Sequence, residues 1–145
     1  MDLILWRHAE AEDGKPDLAR KRTPQGLDQA ARAAAWLREH VPPEFTLIAS
    51  PAQRAQQTAS ALRVPFETSP LLAPGAPVTS ILSAAGWPDR AVPAILVGHQ
   101  PDLGRAAAFL VAGAELEWHI DKGALWWLGG GRHVAVKAVV SPDLL

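Results

Sequence analysis

The chain has 145 residues, of which 48% are hydrophobic and 20% charged, which is typical of a globular domain with a real core. Its net charge of -1, without a long run of like charge, gives no electrostatic basis for binding nucleic acid or an anionic membrane. The chain has no cysteine, which excludes disulfides, thiol catalysis and cysteine zinc sites, and no apolar run approaches the roughly 20 residues of a membrane span. We therefore expect a cytoplasmic protein.

Strand and helix signals alternate along the first two-thirds of the chain. The apolar run 3–6 predicts a buried strand over 2–6, and Thr23 followed by Pro24 predicts the N-cap and first residue of a helix that continues to about His40. Further strands are predicted at 45–49, 64–67 and 93–97. Further helices are predicted from Ser50-Pro51 to about Leu62, over 78–85, and from Pro101 to about Ala112.

From Glu115 onward the pattern changes to strands alone. They are predicted at 115–120, 124–128 and 133–140, with the glycines 129–131 as a hairpin turn. The sequence therefore predicts an α/β fold, a single three-layer domain over residues 1–145. In this domain helices flank a mostly parallel central sheet, and the β-rich C-terminal end adds edge strands.

Arginine and histidine residues follow three of the predicted strands. Arg7 and His8 come directly after the first, Arg54 lies shortly after the second, and His99 follows strand 93–97. Because the carboxyl ends of parallel strands face one crevice, these side chains could meet there. A neutral imidazole is a nucleophile, and guanidinium groups donate charge-assisted hydrogen bonds to phosphate oxygens. The pattern predicts a phosphate pocket that contains a nucleophile.

Three segments resemble, in the same order, the signature segments of the histidine phosphatase superfamily, which has the phosphoglycerate mutase-like fold. They are Leu5-Trp6-Arg7-His8-Ala9, the ten residues 50–59, and Val97-Gly98-His99-Gln100-Pro101. The short length also resembles the small SixA-type phosphohistidine phosphatases, as do Asp17, Arg20, Thr23 and Gly26. The resemblance covers most of the chain and is weakest beyond Ala112.

The resemblance implies a role for each residue of the expected site. His8 would be the phosphorylated nucleophile, and Arg7, Arg54 and His99 would hold the phosphoryl group. Ala9 stands where the family has glycine, and its methyl group fits only if the backbone there does not require a positive φ. We expect that the alanine is tolerated.

The group that protonates the leaving group is not assigned by the resemblance. Larger members of the family carry an acidic residue in the middle of the chain, where this sequence has only Leu71-Leu72-Ala73-Pro74-Gly75. The candidate acids are Glu10, Glu12, Asp13 and Asp17, on the loop that follows His8, and Asp102. On the same loop, Arg20 begins a small basic cluster with Lys21 and Arg22. We predict that Arg20, Glu10 and Asp17 contact the substrate.

The expected function is a phosphatase that acts on a phosphorylated protein side chain, such as phosphohistidine, or on a small phosphoester. Because Arg7 and Arg54 supply the charge neutralisation, we expect no cofactor and no metal ion. Two other classes stay open: a catalytically silent phosphate-binding or interaction module of the same fold, and a metal-dependent hydrolase that uses His8, His99 and nearby carboxylates. A mutase is least favoured because the sequence has no long lid. The expected partners are phosphorylated proteins or small phosphorylated molecules, and neither nucleic acid nor membrane.

Overall fold

The sheet has six strands in the computed structural model, which describes residues 1–145. They are β1 (Asp2–Arg7), β2 (Thr46–Ala49), β3 (Glu67–Thr68), β4 (Ala94–Gly98), β5 (Leu125–Gly130) and β6 (Val134–Val140). Their order is β3-β2-β4-β1-β5-β6. The first four strands are parallel to one another, and β5 and β6 extend the sheet as an antiparallel pair at one edge.

Two pairs of helices cover the two faces of the sheet. They are α1 (Pro24–His40), α2 (Gln53–Ser60), α3 (Val78–Ala85) and α4 (Asp102–Ala112). Alternate residues of β1 point to opposite faces. Leu3 and Leu5 therefore pack in the core with α3 and α4, while Ile4 and Trp6 pack with α1 and α2. The predicted α/β fold with three layers is confirmed. No helix has both the length and the apolar character needed to cross a bilayer.

The predicted helix boundaries hold best where a local cap defines them. The Thr23 side chain accepts a hydrogen bond from the Gly26 amide at 3.0 Å, and α1 begins at Pro24 as predicted. The helix α3 has its predicted bounds, and α4 begins one residue after Pro101. The helix α2 begins at Gln53, so Ser50 is not its N-cap.

Two predictions near the C-terminus are wrong. Residues 115–120 form no strand, because β1 is already paired on both sides and this segment packs irregularly against α4. There a Cβ atom on Gly104 would lie 1.8 Å from the Trp118 carbonyl oxygen. The glycines are not a hairpin turn either, because Gly129 and Gly130 pair with β6 and only Gly131 lies in the connection. A Cβ on Gly130 would lie 2.5 Å from the Trp87 ring, so close packing explains that glycine.

Candidate active site

Three of the predicted site residues meet at the carboxyl ends of the parallel strands. Arg7 of β1 pairs with Gly98 of β4, so His8 and His99, the next residue of each segment, have ring centroids 5.1 Å apart. Arg54 lies in the first turn of α2, which follows β2. Its Nε is 3.3 Å from His8 Nε2, and its Nη2 is 3.3 Å from His99 Nδ1. We call His8, Arg54 and His99 the site floor.

The backbone after β1 fixes the orientation of the His8 ring. His8 Nδ1 lies 2.8 Å from the Ala9 carbonyl oxygen, which can only accept a hydrogen bond, so Nδ1 carries the proton. The lone pair of the neutral ring is therefore on Nε2, which faces Arg54. The Ala9 amide donates to Thr58 Oγ1 at 2.9 Å, and Ala9 does not have a positive φ. The expectation that alanine is tolerated at this position is thereby confirmed.

Both histidines of the site floor are held in the neutral form. The pKa of His8 is lowered to about 4, mainly by burial and in smaller part by the charges of Arg54 and Arg7. Burial also lowers the pKa of His99 to about 3, with a contribution from His8. An uncharged imidazole is the form that can act as a nucleophile, so His8 is in the reactive form at neutral pH. The Arg54 guanidinium between the two rings repels a metal cation.

Ser50, which the sequence predicts as the N-cap of α2, instead contacts His99. Arg54 can only donate, so His99 Nδ1 accepts from it and the neutral ring carries its proton on Nε2. That nitrogen donates to Ser50 Oγ at 2.8 Å. Ser50 is fully buried, and its Oγ also accepts from the Ala52 amide at 3.2 Å. These contacts occupy Ser50 and explain why α2 begins later than predicted. The sequence signal for Ser50 was its position directly after β2.

Arg7 lies beside the site floor and points towards a neighbouring groove. Its Nη1 donates to the Ile120 carbonyl oxygen at 2.8 Å, and its Nε is buried without a partner. Burial lowers the pKa of Arg7, whereas the charge of Asp121 raises it. The groove has a volume of about 690 Å³ and is lined by polar side chains, including Arg7 and His119 but not the three residues of the site floor. Arg7 thus forms no hydrogen bond to either histidine, although its charge acts on both.

The loop from residue 10 to residue 22, which we call the early loop, covers the site floor. Arg54 Nη1 donates to the Asp17 carbonyl oxygen at 2.8 Å, and Nη2 lies 3.1 Å from Asp17 Oδ2. Arg20 Nη1 lies 3.1 Å from the other carboxylate oxygen of Asp17, and its Nε donates to the Glu12 carbonyl oxygen. The charge of Arg20 also lowers the pKa of His8, so a third guanidinium acts on this ring.

The candidate acids fall into different surroundings. Glu10 accepts from Thr23 Oγ1 at 2.8 Å and thus braces the start of α1, where a Cβ on Gly26 would lie 2.1 Å from the Glu10 carbonyl oxygen. The hydrogen bond from Arg20 lowers the pKa of Asp17, so this carboxyl is ionised near neutral pH. Asp102 accepts from two backbone amides of residues 75–76, and burial raises its pKa.

The two remaining candidates, Glu12 and Asp13, are exposed to solvent. None of the five carboxylates forms a hydrogen bond to His8 or His99. The contact of Glu10, Asp17 or Arg20 with a substrate stays a prediction.

Comparison with known proteins gives three kinds of match. The family model of the histidine phosphatase superfamily (branch 1) matches residues 3–74. The chain is 31% identical over 110 residues to an uncharacterized protein of Mycobacterium tuberculosis, Rv1276c. The matched region covers 73% of this chain and 70% of that protein. The fold of this chain is similar to that of SixA, a candidate phosphohistidine phosphatase from Nakamurella multipartitia. The two sequences are 25% identical, the match covers 97% of this chain and 95% of that one, and the TM-score is 0.82. It is also similar to the protein histidine phosphatase SixA complexed with tungstate, with 23% identity, 99% coverage of both chains and a TM-score of 0.83.

Proposed function

Because the chain belongs to the histidine phosphatase superfamily and is a phosphatase, we propose that it hydrolyses phosphohistidine through a covalent intermediate on His8. The observation that carries this proposal is the orientation of the His8 ring. The hydrogen bond from Nδ1 to Ala9 leaves the lone pair on Nε2, next to the Arg54 guanidinium. A nucleophile and a phosphate-binding cation thus share one small site.

The two steps of the reaction both take place at phosphorus. In the first, His8 Nε2 forms a bond to phosphorus, the bond from phosphorus to the substrate nitrogen breaks, and the departing imidazole takes up a proton. In the second, water attacks the phosphorus, the bond to His8 breaks, and inorganic phosphate leaves with His8 neutral again. The guanidiniums of Arg54 and Arg7 stabilise the charge on the non-bridging oxygens in both steps, as such donors do in other phosphoryl transfers. His99 can donate to one of these oxygens only after its Nδ1 takes up a proton, which the negative charge of a bound phosphoryl group favours.

The leaving group decides between phosphohistidine and an alkyl phosphate. The imidazole of phosphohistidine has a second ring nitrogen that solvent can protonate near neutral pH, so it needs no acid from the protein. An alkoxide is a far more basic leaving group and requires a proton donor in the transition state. The site floor offers no carboxyl group, and Asp17 nearby is ionised. This chemistry favours phosphohistidine, the substrate class that the names of the SixA structures also give.

A substrate panel tests the proposal. Purified protein is assayed with a phosphohistidine peptide, a phosphoserine peptide of the same sequence and an aryl phosphate, with His8→Asn as the control for contaminating activity. We expect the phosphohistidine peptide to be cleaved at least 100-fold faster than the phosphoserine peptide, with the aryl phosphate between them, because protonation of the leaving group contributes roughly 10²- to 10⁴-fold. Equal rates on the two peptides would contradict the proposal, since the protein would then supply an acid.

A further inference from the structure

All the donor nitrogens of Arg54 already have partners within the protein. Its Nε faces His8, its Nη1 donates to the Asp17 carbonyl oxygen, and its Nη2 faces both His99 and the Asp17 carboxylate. The proposed function requires these nitrogens to hold phosphoryl oxygens. Only one of the five N–H groups of Arg54, on Nη1, has no partner, so a phosphoryl group that takes two hydrogen bonds from Arg54 must displace at least one of the present partners.

The Asp17 carboxylate is the partner that resembles a phosphoryl group. Its two oxygens bridge two guanidiniums, with Oδ2 3.1 Å from Arg54 and Oδ1 3.1 Å from Arg20. A phosphate dianion is bound in the same manner, by charge-assisted hydrogen bonds from separate arginines to separate oxygens. The Asp17 carboxylate thus takes the position on Arg54 that a bound anion would take.

The site floor is closed while Asp17 is in this position. His8 is 8% exposed, and Arg54 and His99 are each 4% exposed, so only a small part of the site floor is open to solvent. The Asp17 side chain itself is 54% exposed. Movement of Asp17 away from Arg54 would expose the guanidinium without disturbing the hydrophobic core.

The early loop is fixed at its base and loosely held at its tip. At the base, Ala11 and Arg22 form a β-bridge, and the Arg22 amide donates to Gln57 Oε1 at 2.8 Å. At the tip, the short 3-10 helix Asp17–Ala19 has no buried residue. The polar contacts of the tip to the rest of the molecule are those of Asp17 with Arg54, whereas the contacts of Arg20 lie within the loop. A competing anion can therefore release the tip while the base stays in place.

We propose that Asp17 is an intramolecular anion that occupies the phosphoryl site of the empty protein and competes with substrate and product. The inference rests on the proposed function, because it takes Arg54 as a residue that holds the phosphoryl group. The phosphoryl group of the substrate displaces the carboxylate, which frees Arg54 and Arg20 together. After hydrolysis the carboxylate returns and displaces inorganic phosphate. Asp17 thereby weakens product binding, and the early loop has a role in product release.

The competition is expected to be modest in size. Ion pairs that are open to solvent stabilise a structure only weakly, because water screens the charges and solvates the separated groups. Asp17 is such a partner, since more than half of its side chain is exposed. We expect its charge to weaken anion binding by about three- to tenfold. An anion with two negative charges can overcome a competitor of this strength.

The test compares two neutralised carboxylates of the early loop. Binding of tungstate and of inorganic phosphate is measured by titration calorimetry for the unmodified protein, Asp17→Asn and Asp13→Asn. Asp13 is the matched control because its carboxylate lies 4.0 Å from Arg20 and fully in solvent, without contact to Arg54. Each substitution removes one negative charge from the same loop, so a general charge effect would be equal in the two variants.

Asp17→Asn is expected to bind both anions about three- to tenfold more tightly, while Asp13→Asn changes the affinity by less than about twofold. Weaker binding by Asp17→Asn would overturn the inference and make Asp17 a residue that positions Arg54 for the substrate. Equal tightening in the two variants would overturn it as well. If the unmodified protein and Asp17→Asn both fail to bind tungstate, the proposed function fails too. If tungstate binds with unchanged affinity in Asp17→Asn, only the role of Asp17 is lost.

Hydrogen exchange in the unmodified protein gives an independent measurement that needs no variant. The amides of Ala19 and Arg20 donate to the carbonyl oxygens of Pro16 and Asp17 within the tip of the early loop. If tungstate displaces Asp17, these two amides exchange faster in the complex than in the free protein. Slower exchange would show that the tip closes over the anion, and would overturn the inference.

Discussion

The site floor and the early loop hold their charged groups in opposite ways. The floor residues His8, Arg54 and His99 are more than 90% buried and follow strands β1, β2 and β4, whose packing determines their positions. The early loop places Asp17 and Arg20 over them with side chains that are 54% and 25% exposed. The floor therefore depends on the fold, whereas the contacts of the loop can be exchanged for those of a ligand.

This difference separates two kinds of cation at the proposed phosphate site. A buried guanidinium, once aimed, interacts strongly with the charge that develops in a transition state, because it needs no reorganisation and water is excluded. An exposed guanidinium is screened by solvent and contributes less. Variants that exchange, remove or neutralise groups in each region should reveal whether the two regions differ as the geometry indicates.

The comparison is tested most strongly by removing one arginine from each region. Arg54→Gln should lower kcat/KM for a phosphohistidine peptide by at least about 100-fold, since loss of one preorganised donor costs on the order of 3 kcal/mol. Arg20→Gln should lower it by about tenfold or less, because the ion pairs of Arg20 face solvent. Melting temperatures are measured alongside, so that rates refer to folded protein. Equal losses in the two variants would remove the distinction between floor and loop.

Acidification should destabilise the protein through the site floor. The pKa values of His8 and His99, about 4 and about 3, lie below the ordinary value of 6.5 that an unfolded chain would have. Between pH 6.5 and pH 4 the unfolded state binds more protons, so stability is lost as the pH falls. We expect the free energy of unfolding to decrease by on the order of 5 kcal/mol over this range, about half of it from each histidine, as urea titrations would measure.

A double histidine variant tests this assignment, and a single variant at an exposed histidine is its control. The double variant His8→Asn and His99→Asn should flatten the dependence of stability on pH, whereas His133→Asn, at an exposed position, should leave it unchanged. A pH dependence that persists in the double variant would assign the acid sensitivity to other groups.

Removal of the hydroxyl behind His99 should have a smaller effect on the rate. Ser50→Ala removes the acceptor for His99 Nε2, and a neutral hydrogen bond contributes about 1 kcal/mol, so we expect a decrease in kcat of up to about tenfold. Ser69→Ala is the control, because its hydroxyl also accepts from a backbone amide but forms no hydrogen bond to a residue of the site floor. If both variants retain the full rate, Ser50 does not position His99.

Removal of metal ions should have the smallest effect. The Arg54 guanidinium lies within 3.3 Å of both histidines and supplies positive charge where a metal ion would otherwise act. Excess chelator should therefore leave the rate on the phosphohistidine peptide unchanged. A rate that collapses in chelator and returns with one divalent ion would favour the metal-dependent hydrolase instead.

The sequence predicted the floor better than the loop for a physical reason. His8 and His99 follow buried strands, and the pairing of parallel strands brings the ends of such segments together whatever their side chains are. The contact between Asp17 and Arg54 depends on the path of an irregular loop, which no periodic pattern encodes. The local pattern predicts Ser50 as a helix N-cap, because serine before proline is common at helix starts. In the structure the hydroxyl of Ser50 contacts His99 instead, and α2 begins later.

The same reasoning explains the errors near the C-terminus. Residues 115–120 have the composition of a strand, but they pack beside α4 and pair with neither edge strand, β3 or β6. A local pattern does not show which edges of the sheet are already paired.

The central claim is that His8 Nε2 accepts the phosphoryl group. It is tested most directly by mixing the protein with a phosphohistidine peptide labelled with radioactive phosphorus, stopping the reaction within milliseconds in alkaline denaturant, and mapping the label by mass spectrometry. We predict an acid-labile adduct on His8 in the unmodified protein and in Arg54→Gln, where slower chemistry leaves less of it, and no label in His8→Asn. Label on His99 or on no residue, while the peptide is still hydrolysed, would contradict the account.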